Sequence, residues 1–254
     1  MNLYKTILLR REANHKMLAV LLDPDQCRGS MLAKTVATLK SNIPDFIFVG
    51  GSHTVTASVD SLIELLKDEV KTNVVLFPGN TSQFSTHADA LLYLSLLSGR
   101  NAEYMIGQHL TSAVAIKKSR IEVIPTGYLL IDGGKPSSVE YISNTRPIPR
   151  DKNEIALSTA VAGELLGMRL IYLEAGSGAD IPVPAEMIEY VSAGLSLPLI
   201  VGGGIKTTEQ LAAAFEAGSD LVVVGNIFEK DPALIADFVA CAKSYREKEI
   251  GLIY

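Results

Sequence analysis

The sequence predicts an α/β fold, specifically a (β/α)8 (TIM) barrel, and three observations point to it. Short runs that are apolar at every residue recur along the chain, stretches with helical spacing separate them, and no Pro/Gly/Ser-rich linker divides the 254 residues. Strands that are apolar on both sides belong in a parallel sheet whose two faces are both covered. Eight of them within about 250 residues fit a barrel of this kind. A doubly wound sheet is the main rival. Residues 1–254 are expected to form a single catalytic domain.

In chain order, MLAVLL at 17–22 reads as the first strand, followed by a helix near 30–40. DFIFV at 45–49 is the second, followed by helical spacing over 54–70. NVVLF at 73–77 and ADALLYL at 88–94 are the third and fourth. Only PGNTSQFSTH, residues 78–87, lies between these two, too short and polar for a crossover helix, so the third helix is expected to be missing. A fifth strand lies within 123–131, and residues 154–166 are helical. RLIYL at 169–173 is the sixth strand, with a helix at 185–193. The seventh and eighth strands are 198–201 and 220–224, with helices at 207–217 and 232–244. The loop over 132–152 is long for a compact domain, and long loops of this kind are often functional.

Composition removes several classes of protein. Hydrophobic residues make up 48% and charged residues 20%, which excludes a disordered chain. The 23 basic and 28 acidic residues give a net charge of −5, and no basic tract accompanies them, so no nucleic-acid partner is expected. Cys27 and Cys241 have no paired or metal-binding spacing, which fits a reducing compartment. No apolar run approaches the ~20 residues of a membrane-spanning helix, and the N-terminus does not read as a signal peptide. A soluble cytoplasmic protein is expected.

Barrel active sites gather at the C-terminal ends of the strands. There the chain delivers Asp23-Pro24-Asp25, Gly50-Gly51-Ser52-His53, Pro78-Gly79-Asn80, Glu174-Ala175-Gly176-Ser177-Gly178, Gly202-Gly203-Gly204-Ile205 and Gly225-Asn226. Glycine turns after strands seven and eight, opening onto helix N-termini, offer backbone N–H groups to a phosphate, and a Cβ would block its close approach. Taken alone, the same glycines could serve only as tight turns. Carboxylates at Asp23 and Asp25 beside a phosphate call for a divalent cation, with Ser52 as a candidate hydroxyl ligand; an Asp cap in a Pro-containing turn explains them equally well. Glu174 is placed to take a proton or hold a hydroxyl, or else to pair with Lys206. Of the histidines, His53 and His109 are candidate rim residues, while His15 and His87 read as surface. Cys27 has no base near it in sequence and does not read as a nucleophile.

These motifs, together with Leu76-Phe77-Pro78-Gly79, Ile124-Pro125-Thr126-Gly127-Tyr128 and the segment Tyr172–Gly178 (YLEAGSG), resemble the geranylgeranylglyceryl phosphate synthase family, close to its second group. The resemblance runs in order over nearly the whole chain. It implies a Mg²⁺-dependent prenyltransferase that joins the C3 hydroxyl of sn-glycerol 1-phosphate to C1 of a long polyprenyl diphosphate, geranylgeranyl diphosphate above all. Diphosphate is released, and the ether begins archaeal-type lipid synthesis. It implies Asp23 and Ser52 at the metal and diphosphate, and Asp23 and Glu174 as catalytic residues. Tyr172, Leu173, Glu174, Ala175, Gly176, Ser177, Gly178, Gly203, Gly204, Gly225 and Asn226 would hold glycerol 1-phosphate. The family's barrel lacks the third helix, and its members form dimers or hexamers, so a homo-oligomer with peripheral membrane contact for receiving or releasing lipid is expected. The related heptaprenyl-using enzymes carry a lysine where this chain has Leu21, which argues against that subgroup. Two other readings stand beside this one: a phosphosugar isomerase or synthase of amino-acid biosynthesis, and a non-catalytic phosphate-binding barrel.

Overall fold

The computed structural model describes residues 2–51 and 59–247. Eight parallel strands close into a barrel in sequence order: β1 (Met17–Leu22), β2 (Phe46–Val49), β3 (Asn73–Leu76), β4 (Ala90–Leu96), β5 (Glu122–Leu130), β6 (Leu170–Glu174), β7 (Leu199–Gly202) and β8 (Leu221–Val224). β1 pairs with both β2 and β8, which closes the ring. The strands are mostly apolar because alternate residues face two different cores. Met17, Ala19, Phe46, Phe48, Val75, Leu92, Tyr128, Tyr172 and Val223 pack together in one cluster, while Leu18, Val20, Ile47, Val49, Val74 and Val222 belong to the other, with the helices.

Around the barrel lie α1 (Leu3–Glu12), α2 (Gly29–Ser41), α3 (Val59–Glu69), α4 (Gln108–Ser119), α5 (Ser138–Ser143), α6 (Asn153–Leu165), α7 (Ala185–Ala193), α8 (Thr208–Glu216), α9 (Asn226–Lys230) and α10 (Ile235–Glu247). α8 begins with a capping box in which Thr207 and Gln210 satisfy each other's backbone N–H groups. No helix connects β3 to β4, as the short polar segment predicts. β4 starts two residues later than expected, because Asp89 turns its carboxylate back onto the Val74 N–H (2.8 Å) instead of entering the strand.

Four helices were not foreseen: α1, α4, α5 and the short α9 directly after β8. α1 buries only Leu3 and Ile7, against the barrel-interior cluster, and Glu122 accepts the Leu3 and Tyr4 N–H groups at 2.6 and 2.8 Å. α4, preceded by a π-helical turn at Glu103–Gly107, follows β4. α5 lies inside the 132–152 loop, N-capped by Ser137. At the opposite end of the barrel from the strand C-termini, the buried Asp45 side chain accepts the Leu18 N–H at 2.9 Å and pairs with Arg10 and Arg246, tying α1, α10 and β1 together. No helix among the described residues is long and apolar enough to cross a membrane.

Candidate active site

The C-terminal ends of the strands surround a cavity of about 1170 Å³, its open mouth included, which Asp23, Tyr172, Glu174, Ser177, Gly178, Gly203, Gly204, Gly225 and Asn226 all line. The structure therefore brings together side chains spread over more than 200 positions of sequence. Leu173, Ala175 and Gly176 support it from the strand and turn. Ser52 and His53 lie outside the described residues.

Glu174 ends β6 as a buried residue. Burial pushes its carboxyl pKa up to about 7, against the opposing pull of the Tyr172 hydroxyl and the Gly176 N–H. That N–H donates to Oε1 at 2.8 Å. Lys206 is not its partner: the Lys206 ammonium donates to the Asp180 carbonyl oxygen at 3.0 Å, and Glu174 faces the cavity. Beside it, the fully buried Tyr172 hydroxyl lies close enough to Glu174 to act on its pKa but makes no well-aligned hydrogen bond among the described residues. A buried hydroxyl left unsatisfied costs about 1–3 kcal/mol, so this pair is built to receive a polar group from a ligand. Gly202 makes room for both, since a Cβ there would stand 2.3 Å from the Tyr172 hydroxyl and 2.8 Å from Glu174 Oε2.

Packing and backbone conformation both require the glycines of these turns. Gly203 and Gly204 have φ of +79° and +71°. A Cβ on Gly203 would reach Glu174 Oε1 at 2.3 Å, and one on Gly204 would strike the Ile181 backbone at 2.7 Å. Asn226, the first residue of α9, spans two of the loops. Its Oδ1 accepts from the Gly178 N–H at 2.8 Å and the Ser177 hydroxyl at 3.2 Å, while its Nδ2 donates to Glu229 at 3.3 Å. The turns after β6 and β8 are thus latched together. Lys135, Lys206 and Lys230 line the same cavity and provide cationic groups that the strand-end motifs did not reveal. Lys135 comes from the long 132–152 loop and pairs with Asp180 at 3.0 Å.

Asp23 is half-buried, and its Oδ1 accepts the Asp25 N–H at 2.8 Å. Burial, with the Asp25 charge adding to it, raises its pKa. Arg28 is paired with Asp25. Among the described residues no group of three His, Cys, Asp or Glu could hold a metal. A half-buried carboxylate facing the cavity does fit Mg²⁺, which takes one or two carboxylates and fills its sphere with phosphates and waters. Cys27 is buried, and desolvation pushes its thiol pKa up to about 11, the character of a packed structural thiol.

A second cavity, about 1030 Å³ and mostly apolar, opens where the third helix is absent. Phe77, Phe84, Leu91, Leu94, Tyr104 and Ile142 line it, and the inner face of α4 (Gln108, His109, Ser112, Ile116) forms a wall. His109 is fixed there by the Leu94 carbonyl at 2.7 Å and the Tyr93 ring at 4.3 Å. Gly51, Phe77, Tyr128 and Val139 line both cavities, so the two are joined.

Fold and site together define a (β/α)8-barrel protein with a buried carboxylate, glycine turns and lysines at its mouth and an apolar groove beside it. The chain belongs to the PcrB family, whose model matches residues 10–243. It is 48% identical to the geranylgeranylglyceryl phosphate synthase of Chitinophaga pinensis, over 92% of this chain and 93% of that one. It is 41% identical to the enzyme of the same name from Korarchaeum cryptofilum, over 87% and 90%. Its structure is similar to that of (S)-3-O-geranylgeranylglyceryl phosphate synthase from Thermoplasma acidophilum in complex with substrate sn-glycerol-1-phosphate. That similarity has a TM-score of 0.88 at 33% identity and covers 96% of this chain and 99% of the other.

Proposed function

We propose that the protein is a geranylgeranylglyceryl phosphate synthase, a prenyltransferase that links sn-glycerol 1-phosphate to a long prenyl diphosphate through an ether. The observation that carries this reading is the pair of joined cavities: a polar one lined by glycine turns and lysines, and an apolar groove meeting it at Phe77 and Tyr128. A phosphosugar isomerase would have no use for the groove.

In this reading the turns at Gly203-Gly204 and Gly225-Asn226, with Lys206 and Lys230 nearby, take the glycerol phosphate. Glu174 and Tyr172 hold its hydroxyls, and the prenyl tail lies in the groove. Asp23, with Ser52 as the second expected ligand, would hold Mg²⁺, which would supply charge neutralisation for the departing diphosphate. The bond from prenyl C1 to diphosphate oxygen breaks with its electron pair on the diphosphate. The glycerol C3 oxygen bonds to C1, and its proton passes to Glu174, whose pKa near 7 suits that task. Fixing both reactants in one site contributes through proximity, an effect that reaches about 7–11 kcal/mol in ideal cases. We place the enzyme in the cytoplasm as a homo-oligomer touching the membrane peripherally; the exposed Ile106, Leu110 and Val114 beside the groove support such a contact. Incubation with Mg²⁺, glycerol 1-phosphate and prenyl diphosphates of graded length, with mass detection of the ether, tests the activity. Binding of both substrates without any ether would favour a non-catalytic barrel instead.

A further inference from the structure

We propose that Phe77 is a catalytic residue whose ring face stabilises the positive charge that develops on the prenyl group as its diphosphate departs. The inference rests on the reading of the joined cavities as acceptor and donor sites. In that arrangement the reacting carbon lies where they meet, because the phosphate-bearing acceptor is on one side and the hydrocarbon tail on the other. Four residues line both spaces: Gly51, Phe77, Tyr128 and Val139. Two are aromatic, and they differ in access. Tyr128 is buried, whereas Phe77 is partly exposed in the junction.

Phe77 is held there by its neighbours. Its ring stacks on Tyr172 at 5.3 Å between centroids and lies 6.2 Å from Phe48 and 6.3 Å from Tyr128. Its carbonyl sits against Gly50, where a Cβ would come within 1.9 Å, so this close approach demands glycine. The ring is thereby fixed by packing before any substrate arrives. An allylic carbon losing a diphosphate gains cationic character, and the negative face of an aromatic ring attracts a cation by about 0.5–2 kcal/mol, more when water is excluded. The interaction exists only as the C1–O bond breaks, so it favours the transition state over the ground state. In this reading Glu174 takes the proton and a Mg²⁺ held by Asp23 would offset the charge of the leaving group, which leaves the carbon's own developing charge to Phe77.

The test places phenylalanine, 4-fluoro-, 3,4-difluoro- and 3,4,5-trifluorophenylalanine at position 77 of the full chain, because fluorine withdraws charge from the ring face at nearly constant shape. Single-turnover rates at saturating glycerol 1-phosphate and geranylgeranyl diphosphate are expected to fall stepwise, by about tenfold across the series. KM values and melting temperature should stay within twofold and 2 °C of the unmodified protein, roughly what unchanged contacts allow. A flat series would overturn the proposal, and would do so while the ether still forms, which separates it from failure of the functional reading. Should the fluorinated chains not fold, Phe77→Tyr and Phe77→Leu decide the matter. Tyr keeps an aromatic face and should stay within threefold, whereas Leu should lose about tenfold in rate. Equal rates for both would refute the ring's role.

Discussion

Glu174→Gln should separate catalysis from stability in opposite directions. The wild-type carboxyl has its pKa raised from 4.5 to about 7 by burial. A raised acid binds more protons in the folded state than in the unfolded state between those values. Its contribution is therefore fully present below pH 4.5 and is lost as pH rises through about 7. The 2.5-unit difference between these values corresponds to roughly 3 kcal/mol at pH 8. Glutamine has nothing to ionise, and its side-chain oxygen can still accept from Gly176. The variant is expected to match wild type near pH 4 and to exceed it by about 3 kcal/mol at pH 8 in urea melts. Catalysis should move the other way, with single-turnover rates falling about 10²–10⁴-fold, the usual contribution of a positioned base. The wild-type rate should rise with pH through about 7 with a limb that the variant lacks. A variant that reacts at the wild-type rate, or gains no stability at pH 8, would refute this account of Glu174.

Other variants probe the remaining parts. Asp23→Asn keeps shape but removes the charge facing the cavity, and should nearly abolish turnover at saturating Mg²⁺ with melting temperature unchanged; turnover within threefold of wild type would refute the metal assignment. Asn226→Ala opens the latch between the β6 and β8 turns and should raise KM for glycerol 1-phosphate about tenfold, with much less effect on KM for the prenyl diphosphate in steady-state assays. Ser112→Trp fills the α4 wall of the groove, and competition between donors of different length should show a shift toward shorter chains. Asp45→Ala leaves two arginines and a strand N–H without their buried partner, and should cost about 3 kcal/mol in denaturant unfolding while leaving turnover of the folded enzyme intact.

The barrel was legible because both faces of every strand are buried, which writes continuous apolar runs such as 17–22 and 46–49 into the chain. The missing third helix was legible for the same reason, as a segment too polar and short to cover a sheet. α4 was not. Leu110 and Val114 are exposed while Ile116 is buried, so apolar residues lie on both sides of the helix and no single stripe emerges. The groove wall was hidden with it. α1 was missed because it contributes only two buried side chains, Leu3 and Ile7. In the site, each carboxylate and glycine turn was readable at the end of a strand, but what joins them was not. The contact of Asn226 with Gly178 spans 48 positions. Lys135 reaches the cavity from a loop, and the approach of the Tyr172 hydroxyl to Glu174 exists only in three dimensions. The glycines at 203 and 204 read correctly as a turn, while the clashes with Glu174 and Ile181 that forbid side chains there come from packing.

The most direct measurement is a crystal structure with sn-glycerol 1-phosphate, Mg²⁺ and an unreactive thio-analogue of geranylgeranyl diphosphate bound together. The account predicts the glycerol phosphate against Gly203-Gly204 and Gly225-Asn226, with its C3 hydroxyl within hydrogen-bond reach of Glu174. It also predicts the metal on Asp23, prenyl C1 over the Phe77 ring and the tail along α4. Glycerol phosphate at Asp23, or a tail lying outside the groove, would contradict it.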